Sequence, residues 1–225
     1  MSDVLSPQIG DAFVLCGGSG SGKGTIVAEA MPLLEAQHPD MYLSRSYTTR
    51  ERRPDEPEDA YRFVSLEHFE RALDEGRLLE WTCFNGTYYG TPCPVSGKIP
   101  FIEIEVSGAS EAMKSPLLRR VHCAFILPLN PLEQVVQLLA RRDMMNRAKK
   151  VDRFATFVTR ELAAIEDLNA HVIVNDEVSR ATTRLINWVN GDRTQDERLE
   201  EVIAKHRKYA PKLLELMQEL YPTQA

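Results

Sequence analysis

The sequence predicts an α/β fold built on a parallel core sheet. Short apolar runs recur along the chain, and segments with apolar residues at helical spacing separate them. Two of these runs, residues 12–16 and 123–128, carry no charged residue, which is typical of strands buried on both faces of a parallel sheet. The alternation of such strands with helices predicts a sheet covered by helices. The exceptions cluster between residues 42 and 91, where a hairpin-rich insert interrupts the alternation.

The elements of the first half follow from local patterns. A helix is predicted over residues 25–36, and the alternation over residues 42–50 predicts a second strand. Residues 51–60 form a charged, proline-bearing loop that cannot belong to the core. Over residues 65–76, a serine cap, apolar residues at helical spacing and a final glycine predict a helix. Two strands then flank an Asn-Gly dipeptide at residues 85–86, which predicts a hairpin turn.

The second half returns to alternating strands and helices. Residues 101–106 alternate apolar residues with carboxylates and predict a strand. Asn130 is the expected cap of the next helix, with Glu133 at the capping-box spacing. Apolar residues at spacings of three and four predict one continuous helix over residues 151–169. Residues 171–176 predict the last strand.

Composition and charge exclude several classes of partner. The chain has 225 residues, of which 43% are hydrophobic and 27% charged, and its net charge is -6. This acidic balance supplies no global field that would attract nucleic acid or an anionic membrane. No apolar run approaches the length of a membrane span, and the four cysteines show no paired spacing. We therefore expect a cytoplasmic protein with no nucleic-acid or membrane partner. It should be a monomer or a homodimer. The amphipathic tail, residues 192–225, is expected to pack on its own domain, and a dimer contact is the alternative.

A glycine-rich stretch lies between the first strand and the first helix. Its pattern, G-x-x-x-x-G-K, is typical of a loop that presents backbone N–H groups and a helix N-terminus to phosphate oxygens. Lys23 would reach the β and γ phosphates of a nucleoside triphosphate. The pattern normally continues with Ser or Thr, but Gly24 follows here and the first hydroxyl is that of Thr25. The candidate ATP-binding residues of the loop are Gly17, Gly18, Ser19, Gly20, Ser21, Gly22, Lys23, Gly24 and Thr25.

Arginines in two regions could neutralise a transferred phosphoryl group. Arg50 and Arg53 lie after the second predicted strand, and Arg142 and Arg153 lie near helix ends in the second half. Phosphoryl transfer depends mainly on aligned oxygens and on cations that balance their charge. These arginines become informative only in combination with the glycine-rich loop.

Several longer motifs resemble those of the guanylate kinase family. The motif T-T-R-x-x-R ending at Arg53, the pair Glu80-Trp81 and the run N-G-x-Y-Y-G-T ending at Thr91 occur in the family's order and near its spacing. The resemblance covers roughly residues 10–190. It implies transfer of the γ-phosphate of ATP to GMP or dGMP, with Mg²⁺ accompanying ATP.

The resemblance also implies an architecture. This is a P-loop NTPase three-layer α/β fold with a parallel core sheet, an inserted mixed or antiparallel GMP-binding subdomain and a short lid. The expected core comprises residues 10–41, 93–140 and 154–191. The insert would be 42–92, the lid 141–153 and the helical tail 192–225, all within one unit.

The resemblance assigns roles to individual side chains. Glu80 would read guanine, since a carboxylate can accept from both the ring N–H and the exocyclic amine, and Thr91 and Glu105 would complete that pocket. Asn175 stands where the family contacts adenine. The implied cage for the GMP phosphate is Ser46, Arg50, Arg53, Tyr61 and Tyr89. The implied catalytic residues are Lys23, Arg50, Arg142 and Arg153.

Some positions depart from the family pattern. Gly24 stands where the family has serine, although the corresponding loop of adenylate kinases also has the sequence Gly-Lys-Gly-Thr. Direct ligation of magnesium is weakened, so Thr25 and Glu103 are candidates to hold the metal through water. Glu105 stands where the family usually has aspartate, and its extra methylene displaces the carboxylate by about one bond length. Leu138 stands where an additional lid arginine is usual.

Three functions stay open at this point. The first is an active ATP:GMP phosphotransferase, which the presence of both donor and acceptor motifs favours. The second is a kinase for another phosphorylated small molecule or nucleotide, suggested by Glu105 and the altered lid. The third is an inactive guanylate-kinase-like module that binds phosphopeptides, against which the retained Lys23 and loop glycines argue.

Overall fold

The structure is a computed structural model that describes residues 10–52, 56–84, 86–140 and 147–222. The strands are β1 (Asp11–Cys16), β2 (Met41–Ser44), β3 (Tyr47–Thr48), β4 (Arg62–Phe63), β5 (Leu78–Phe84), β6 (Thr87–Pro92), β7 (Ile99–Glu103), β8 (Arg120–Pro128) and β9 (His171–Asn175). The helices are α1 (Lys23–Gln37), α2 (Leu66–Asp74), α3 (Val106–Lys114), α4 (Pro131–Ala140), α5 (Arg147–Thr156), α6 (Ala164–Asp167), α7 (Val178–Val189) and α8 (Leu199–Leu220). A π turn, Phe157–Glu161, stands between α5 and α6.

The predicted parallel core sheet is confirmed. Its strand order is β2-β7-β1-β8-β9, and every neighbouring pair is parallel. Along β1, Phe13 and Leu15 join the apolar cluster formed with α1 and α7, whereas Val14 and Cys16 join the cluster formed with α3, α4, α5 and α8. Both faces of the sheet are therefore covered by helices. This is why the strand sequences are apolar at successive positions and do not alternate.

The insert forms a second sheet, in the order β4-β3-β6-β5. The predicted hairpin is confirmed, since β5 and β6 pair antiparallel, although Asn85 itself lies outside the described residues. The prediction of one strand over residues 42–50 is wrong. The chain leaves the core sheet after Ser44, which pairs with Ile102, and enters the second sheet at Tyr47, which pairs with Gly90. The alternation there belongs to two short strands in different sheets.

The helix predicted over residues 151–169 is also wrong as one continuous element. Helix α5 gives way to the π turn, in which Leu162 N donates to Phe157 O at 3.0 Å, and α6 follows. Phe154 and Phe157 are fully buried and stack with ring centroids 5.8 Å apart. The wider π turn changes which side chains face the core, and apolar spacing alone does not signal such a change.

The carboxylate-bearing strand is shorter than predicted. Strand β7 ends at Glu103, and Glu105 already precedes the first residue of α3 as its N-cap. The predicted cap of α4 is confirmed, because Asn130 Oδ1 accepts from Glu133 N at 2.9 Å. The Glu133 carboxylate closes the box by accepting from the Asn130 side-chain amide at 2.7 Å.

The tail packs on its own core. Helix α8 continues through Pro211 and buries Val202, Ala210 and Met217 in the cluster shared with α4 and α5. His206 is fully buried, and its ring meets that of Phe157 edge-on with centroids 5.9 Å apart. The tail therefore supports the helices that follow β8. None of the helices within the described ranges combines the length and the hydropathy that a membrane crossing requires.

Two aspartates link the tail to the last helix of the core. Arg184 donates to Asp176 at 2.6 Å, and Arg198 donates to Asp176 at 2.9 Å and to Asp196 at 2.7 Å. Both carboxylate side chains are only 6% exposed. Hydrogen bonds from Arg184 hold the pKa of Asp176 below its ordinary value, and those from Arg198 do the same for the pKa of Asp196.

We expect the link through Asp196 to be lost in acid. A carboxylate with a depressed pKa in the folded state stabilises the fold fully above its unfolded pKa of about 3.9, and this contribution disappears as the pH falls below that value. Asp196→Asn should lower the free energy of unfolding at pH 7 by about 1–2 kcal/mol. The deficit relative to wild type should shrink in urea titrations repeated below pH 4. Glu67→Gln, which breaks an exposed pair with Arg71, is the control, and a deficit from Asp196→Asn that did not change with pH would contradict the prediction.

Candidate active site

The predicted donor-side residues within the described ranges gather at one edge of the core sheet. The glycine-rich loop follows β1, Glu103 ends β7, the chain enters α4 after β8, and Asn175 ends β9. Because these strands are parallel neighbours, their carboxyl ends meet at the same edge. Ligands of open α/β sheets bind at this edge, outside the ends of the strands.

The loop has a conformation that requires glycine. Gly17 and Gly22 have φ angles of 140° and 89°, which side-chain-bearing residues rarely adopt. A Cβ on Gly17 would lie 2.5 Å from Ile126 O, and one on Gly22 would lie 2.5 Å from Asn175 Nδ2. Gly22 is also the N-cap of α1 and has no side chain with which to cap it. The first N–H groups of α1 are thus left for an anion.

Two amide side chains, Gln134 of α4 and Asn175 at the end of β9, hold the loop. Asn175 Nδ2 donates to Ser21 O at 2.8 Å, and Gln134 Nε2 donates to Ser19 O at 3.1 Å. Gln134 is fully buried, although it lies on a helix whose other buried residues are mostly apolar. The structure thus places Asn175, expected beside adenine, against the backbone of the phosphate loop. These two contacts preorganise the loop before any nucleotide binds.

Gly24, the residue after the loop lysine Lys23, lies close to the carboxylate of Glu103. Lys23 Nζ donates to Gly17 O at 2.5 Å and to Gly18 O at 3.4 Å, so the ammonium group lies folded over the loop. Glu103 Oε1 lies 3.9 Å from where a Cβ on Gly24 would be. A carboxylate therefore stands beside the position whose hydroxyl is missing.

The acceptor side brings together one arginine and two tyrosines. The Arg50 guanidinium lies over the Tyr61 ring, 5.3 Å from its centroid, and the rings of Tyr61 and Tyr89 are 6.1 Å apart. Burial raises the pKa of Tyr61 to about 12, so this phenol keeps its proton and can donate. Both terminal nitrogens of Arg50 donate to the Glu56 carboxylate, Nη2 to Oε1 at 2.7 Å and Nη1 to Oε2 at 2.9 Å. An anionic phosphate offers the same bidentate acceptor geometry as this carboxylate.

Glu80 is held in a fixed orientation by Thr91. Glu80 Oε1 accepts from Thr91 N at 3.1 Å and from Thr91 Oγ1 at 2.6 Å, and Thr91 is fully buried. The other oxygen, Oε2, faces the first turn of α3, 3.1 Å from where a Cβ on Gly108 would be. Burial raises the pKa of Glu80, the Thr91 hydrogen bonds oppose this, and the nearby Glu105 adds to it.

Glu105 connects the two halves of the site. Its carboxylate forms an ion pair with Arg153 of α5, and its negative charge also acts on Glu80. The longer side chain of glutamate at this position therefore reaches an arginine expected to act on the phosphoryl group. The structure thus brings Glu105 and Arg153, predicted for different roles, into direct contact.

Not every predicted residue can be placed. Arg53 and Arg142 lie outside the described residues, as does the first part of the predicted lid, residues 141–146. Ser46 stands between β2 and β3, and its backbone carbonyl accepts from Arg62 N. Thr25 is exposed in the first turn of α1.

Sequence reasoning missed three polar residues of the site: Gln134, Glu56 and Glu161. Gln134 was recognisable as a polar residue four positions before Leu138 on the buried stripe of its helix. Glu56 was recognisable as an acidic residue among the arginines of a charged loop. Glu161 had no local signal, because its place depends on the π turn.

The fold and the loop together define a P-loop nucleotide-binding protein whose insert carries a cluster of one arginine and two tyrosines. The family model for guanylate kinase matches residues 10–191. A guanylate kinase from Thermosynechococcus vestitus is 37% identical over 188 residues, covering 80% of this chain and 93% of that protein. A second, from Synechococcus sp., is 35% identical and covers 79% and 96%. The chain belongs to the guanylate kinase family.

A solved structure agrees with this assignment. The crystal structure of guanylate kinase from Anaplasma phagocytophilum superposes with a TM-score of 0.59 at 25% sequence identity. The match covers 98% of this chain and 100% of that one. The three-layer P-loop fold predicted from the sequence is therefore confirmed.

Proposed function

We propose that the protein transfers the γ-phosphate of ATP to GMP or dGMP by in-line phosphoryl transfer. The observation that carries this proposal is that the tyrosine cage of the insert lies within electrostatic range of the core-sheet edge, since the charges of Glu103 and Glu105 act on Tyr61. A glycine loop with a lysine lies on one side, and an arginine–tyrosine cage with an oriented carboxylate lies on the other. Membership of the guanylate kinase family supports the same reaction.

On the donor side, backbone N–H groups from Gly17 to Thr25 would bind the phosphates of ATP. Lys23 would exchange the Gly17 and Gly18 carbonyls for the β and γ phosphates. Arg153 would leave Glu105 or share its guanidinium between that carboxylate and the transferred group. Such cations balance the charge that spreads over the phosphoryl oxygens in the transition state.

On the acceptor side, the phosphate of GMP would displace Glu56 from Arg50 and accept from Tyr61 and Tyr89. Glu80 would take the two guanine donors with the support of Thr91. Adenine lacks this pair of donors, so AMP would leave the partly buried Glu80 carboxylate with Thr91 as its only donor residue among those that the structure describes. Arg53 and Arg142 complete this assignment from the family pattern.

Magnesium fits this site through water. The described residues include no cluster of three or more His, Cys, Asp or Glu side chains able to hold a metal. The carboxylate of Glu103 near Gly24, with the Thr25 hydroxyl, would hold a hydrated ion bound to the ATP phosphates. Mg²⁺ usually keeps several waters and takes one or two protein carboxylates. When bound, it would neutralise charge on the phosphate oxygens.

One observation favours a phosphoryl acceptor other than GMP as the alternative. Glu105, expected in the guanine pocket, instead pairs with Arg153. A pocket that lost this carboxylate would select less strictly for guanine. A kinase acting on another phosphorylated small molecule therefore stays the alternative, ahead of an inactive phosphopeptide-binding module.

A coupled assay with ATP and Mg²⁺ separates these functions. GMP and dGMP should be phosphorylated, and AMP, CMP and UMP should react far more slowly at equal concentration. Fast turnover of a different nucleotide would favour the alternative kinase. Nucleotide binding without turnover of any acceptor would refute the proposed function.

The organisation of the chain stays a prediction. We propose one unit in which the insert carries the acceptor site and the segment around 141–153 closes over the phosphates. Closure would exclude water from the transferred group. A cytoplasmic location, and a monomer or homodimer with the tail as a possible contact, are also predictions from the sequence.

A further inference from the structure

Glu161 is a carboxylate that the proposed reaction does not yet use. It is the last residue of the π turn that follows α5. The first residue of the same turn, Phe157, lies against the phosphate loop, where its ring leaves no room for a Cβ on Gly18. Glu161 follows Phe157 by four residues, close to one π turn, and so lies near the same side of the helix as the ring that meets the loop. π turns inside helices recur at functional sites.

The π turn directs Glu161 towards the face of the helix that carries Arg153. In an α-helix each residue advances roughly 100°, so a position eight residues further lies roughly 80° away around the axis. A π turn winds less per residue, which brings position 161 back towards the face of position 153. The charge of Arg153 acts on the Glu161 carboxylate.

The charge of Lys23 also acts on Glu161. Burial raises the pKa of Glu161, the positive charges of Lys23 and Arg153 lower it, and Glu105 raises it. The negative charge of Glu161 is felt in turn at Cys16, the last residue of β1 before the loop. Glu161 thus lies within electrostatic range of the two cations assigned to the transferred phosphoryl group.

This placement is costly for the fold. Glu161 Oε2 is buried and has no hydrogen-bond partner among the residues that the structure describes. A buried carboxylate without a partner destabilises a protein. Stability therefore gives no reason for this residue, whereas its position between two functional cations does.

We propose that Glu161 is a positioning residue that orients Lys23 and Arg153 for phosphoryl transfer. The inference rests on the proposed function, since it assigns these cations to the transferred group. While the phosphates are absent, the carboxylate attracts both side chains to the rear of the loop. When ATP binds, the Glu161 carboxylate limits the conformations that Lys23 and Arg153 can adopt, so that both side chains point at the same phosphoryl oxygens.

The test compares Glu161→Gln with wild type in the full-length protein. The variant keeps the size of the side chain and removes its charge. We expect kcat to fall by about 10–100-fold, as for other misplaced catalytic groups. A non-hydrolysable ATP analogue should bind more tightly, because a negative charge near the phosphates has been removed. Tm should stay equal or rise, because a buried unpartnered carboxylate is gone.

Two further variants sharpen the result. Glu161→Asp keeps the charge and should retain more kcat than Glu161→Gln. Glu166→Gln is the matched control, because it removes one carboxylate from the same region, where Glu166 pairs with Arg207 of the tail, and it should leave kcat unchanged. A kcat for Glu161→Gln within twofold of wild type, or a joint fall of kcat, analogue affinity and Tm, would overturn the proposal.

A double-mutant cycle separates this inference from the proposed function. If Glu161 acts through Lys23, Glu161→Gln should change analogue affinity less in a Lys23→Ala background than in wild type. Equal changes in both backgrounds would count against the positioning role. This binding measurement needs no acceptor, so it tests the role of Glu161 even if the wild-type protein does not phosphorylate GMP. A failure to phosphorylate GMP would refute only the proposed function.

Discussion

Lys23→Ala should lower kcat by about a thousandfold or more. Removing a preorganised group that stabilises developing charge commonly costs two to three orders of magnitude in rate. Arginine fingers, which stabilise the same charge in phosphoryl transfer, contribute more. The lysine is the first residue of α1, and its ammonium group already lies over the phosphate loop, bonded to the carbonyls of Gly17 and Gly18. Lys23 is the one basic residue within the loop sequence, residues 17–25. Steady-state kinetics with ATP and GMP would measure the loss.

The fold should survive this change. Gln134 and Asn175 hold the loop backbone independently of Lys23, and the Lys23 side chain belongs to none of the apolar clusters. Tm should therefore shift by only a few degrees, which is about 1 kcal/mol for a chain of this size. Lys114→Ala is the matched control, because this lysine pairs with Glu111 on the exposed face of α3. A loss of kcat below tenfold for Lys23→Ala would contradict the assigned role.

Glu80→Gln should weaken discrimination between GMP and AMP. Glutamine has the same shape, but its amide nitrogen must face either the Thr91 donors or the donors of guanine. Hydrogen bonds to charged groups contribute about 1.5–3 kcal/mol. We therefore expect KM for GMP to rise by about 10–100-fold. KM for AMP should change little, so the ratio of kcat/KM values for GMP and AMP should fall by a similar factor.

The control for this prediction is a neighbouring carboxylate. Glu111 acts on the pKa of Glu80 through its charge, but its side chain is exposed on α3. Glu111→Gln should leave both KM values near those of wild type. An unchanged GMP-to-AMP ratio in Glu80→Gln would show that guanine is read elsewhere, and Glu105 would be the next carboxylate to test.

Much of the fold could be predicted from the sequence because its signals are local. The uncharged runs of β1 and β8 indicate burial on both faces, and the caps at Ser65 and Asn130 are hydrogen bonds made within three residues. The glycine-rich loop could be recognised for the same reason, since its required backbone angles are properties of its own residues. These features depend on short-range sterics and on apolar periodicity.

The errors occurred where distant partners override a local pattern. Residues 42–50 alternate as one strand, but pairing with β7 and with β6 divides them between two sheets. Residues 151–169 have helical spacing throughout, but packing of Phe157 against the loop and against His206 accompanies a π turn. Helical periodicity is nearly the same with and without a single π turn, so the sequence carries no clear signal for it.

The sequence by itself determined the parallel α/β core, the phosphate loop and the motifs by which the guanylate kinase family is recognised. Only the tertiary structure decided which charges meet: Glu56 with Arg50, and Glu105 with Arg153. Local conformation depends on neighbours along the chain, which the sequence lists in order. An ion pair such as that of Glu105 with Arg153, 48 positions apart, depends on how sheets, helices and turns pack, and that is a property of the folded chain.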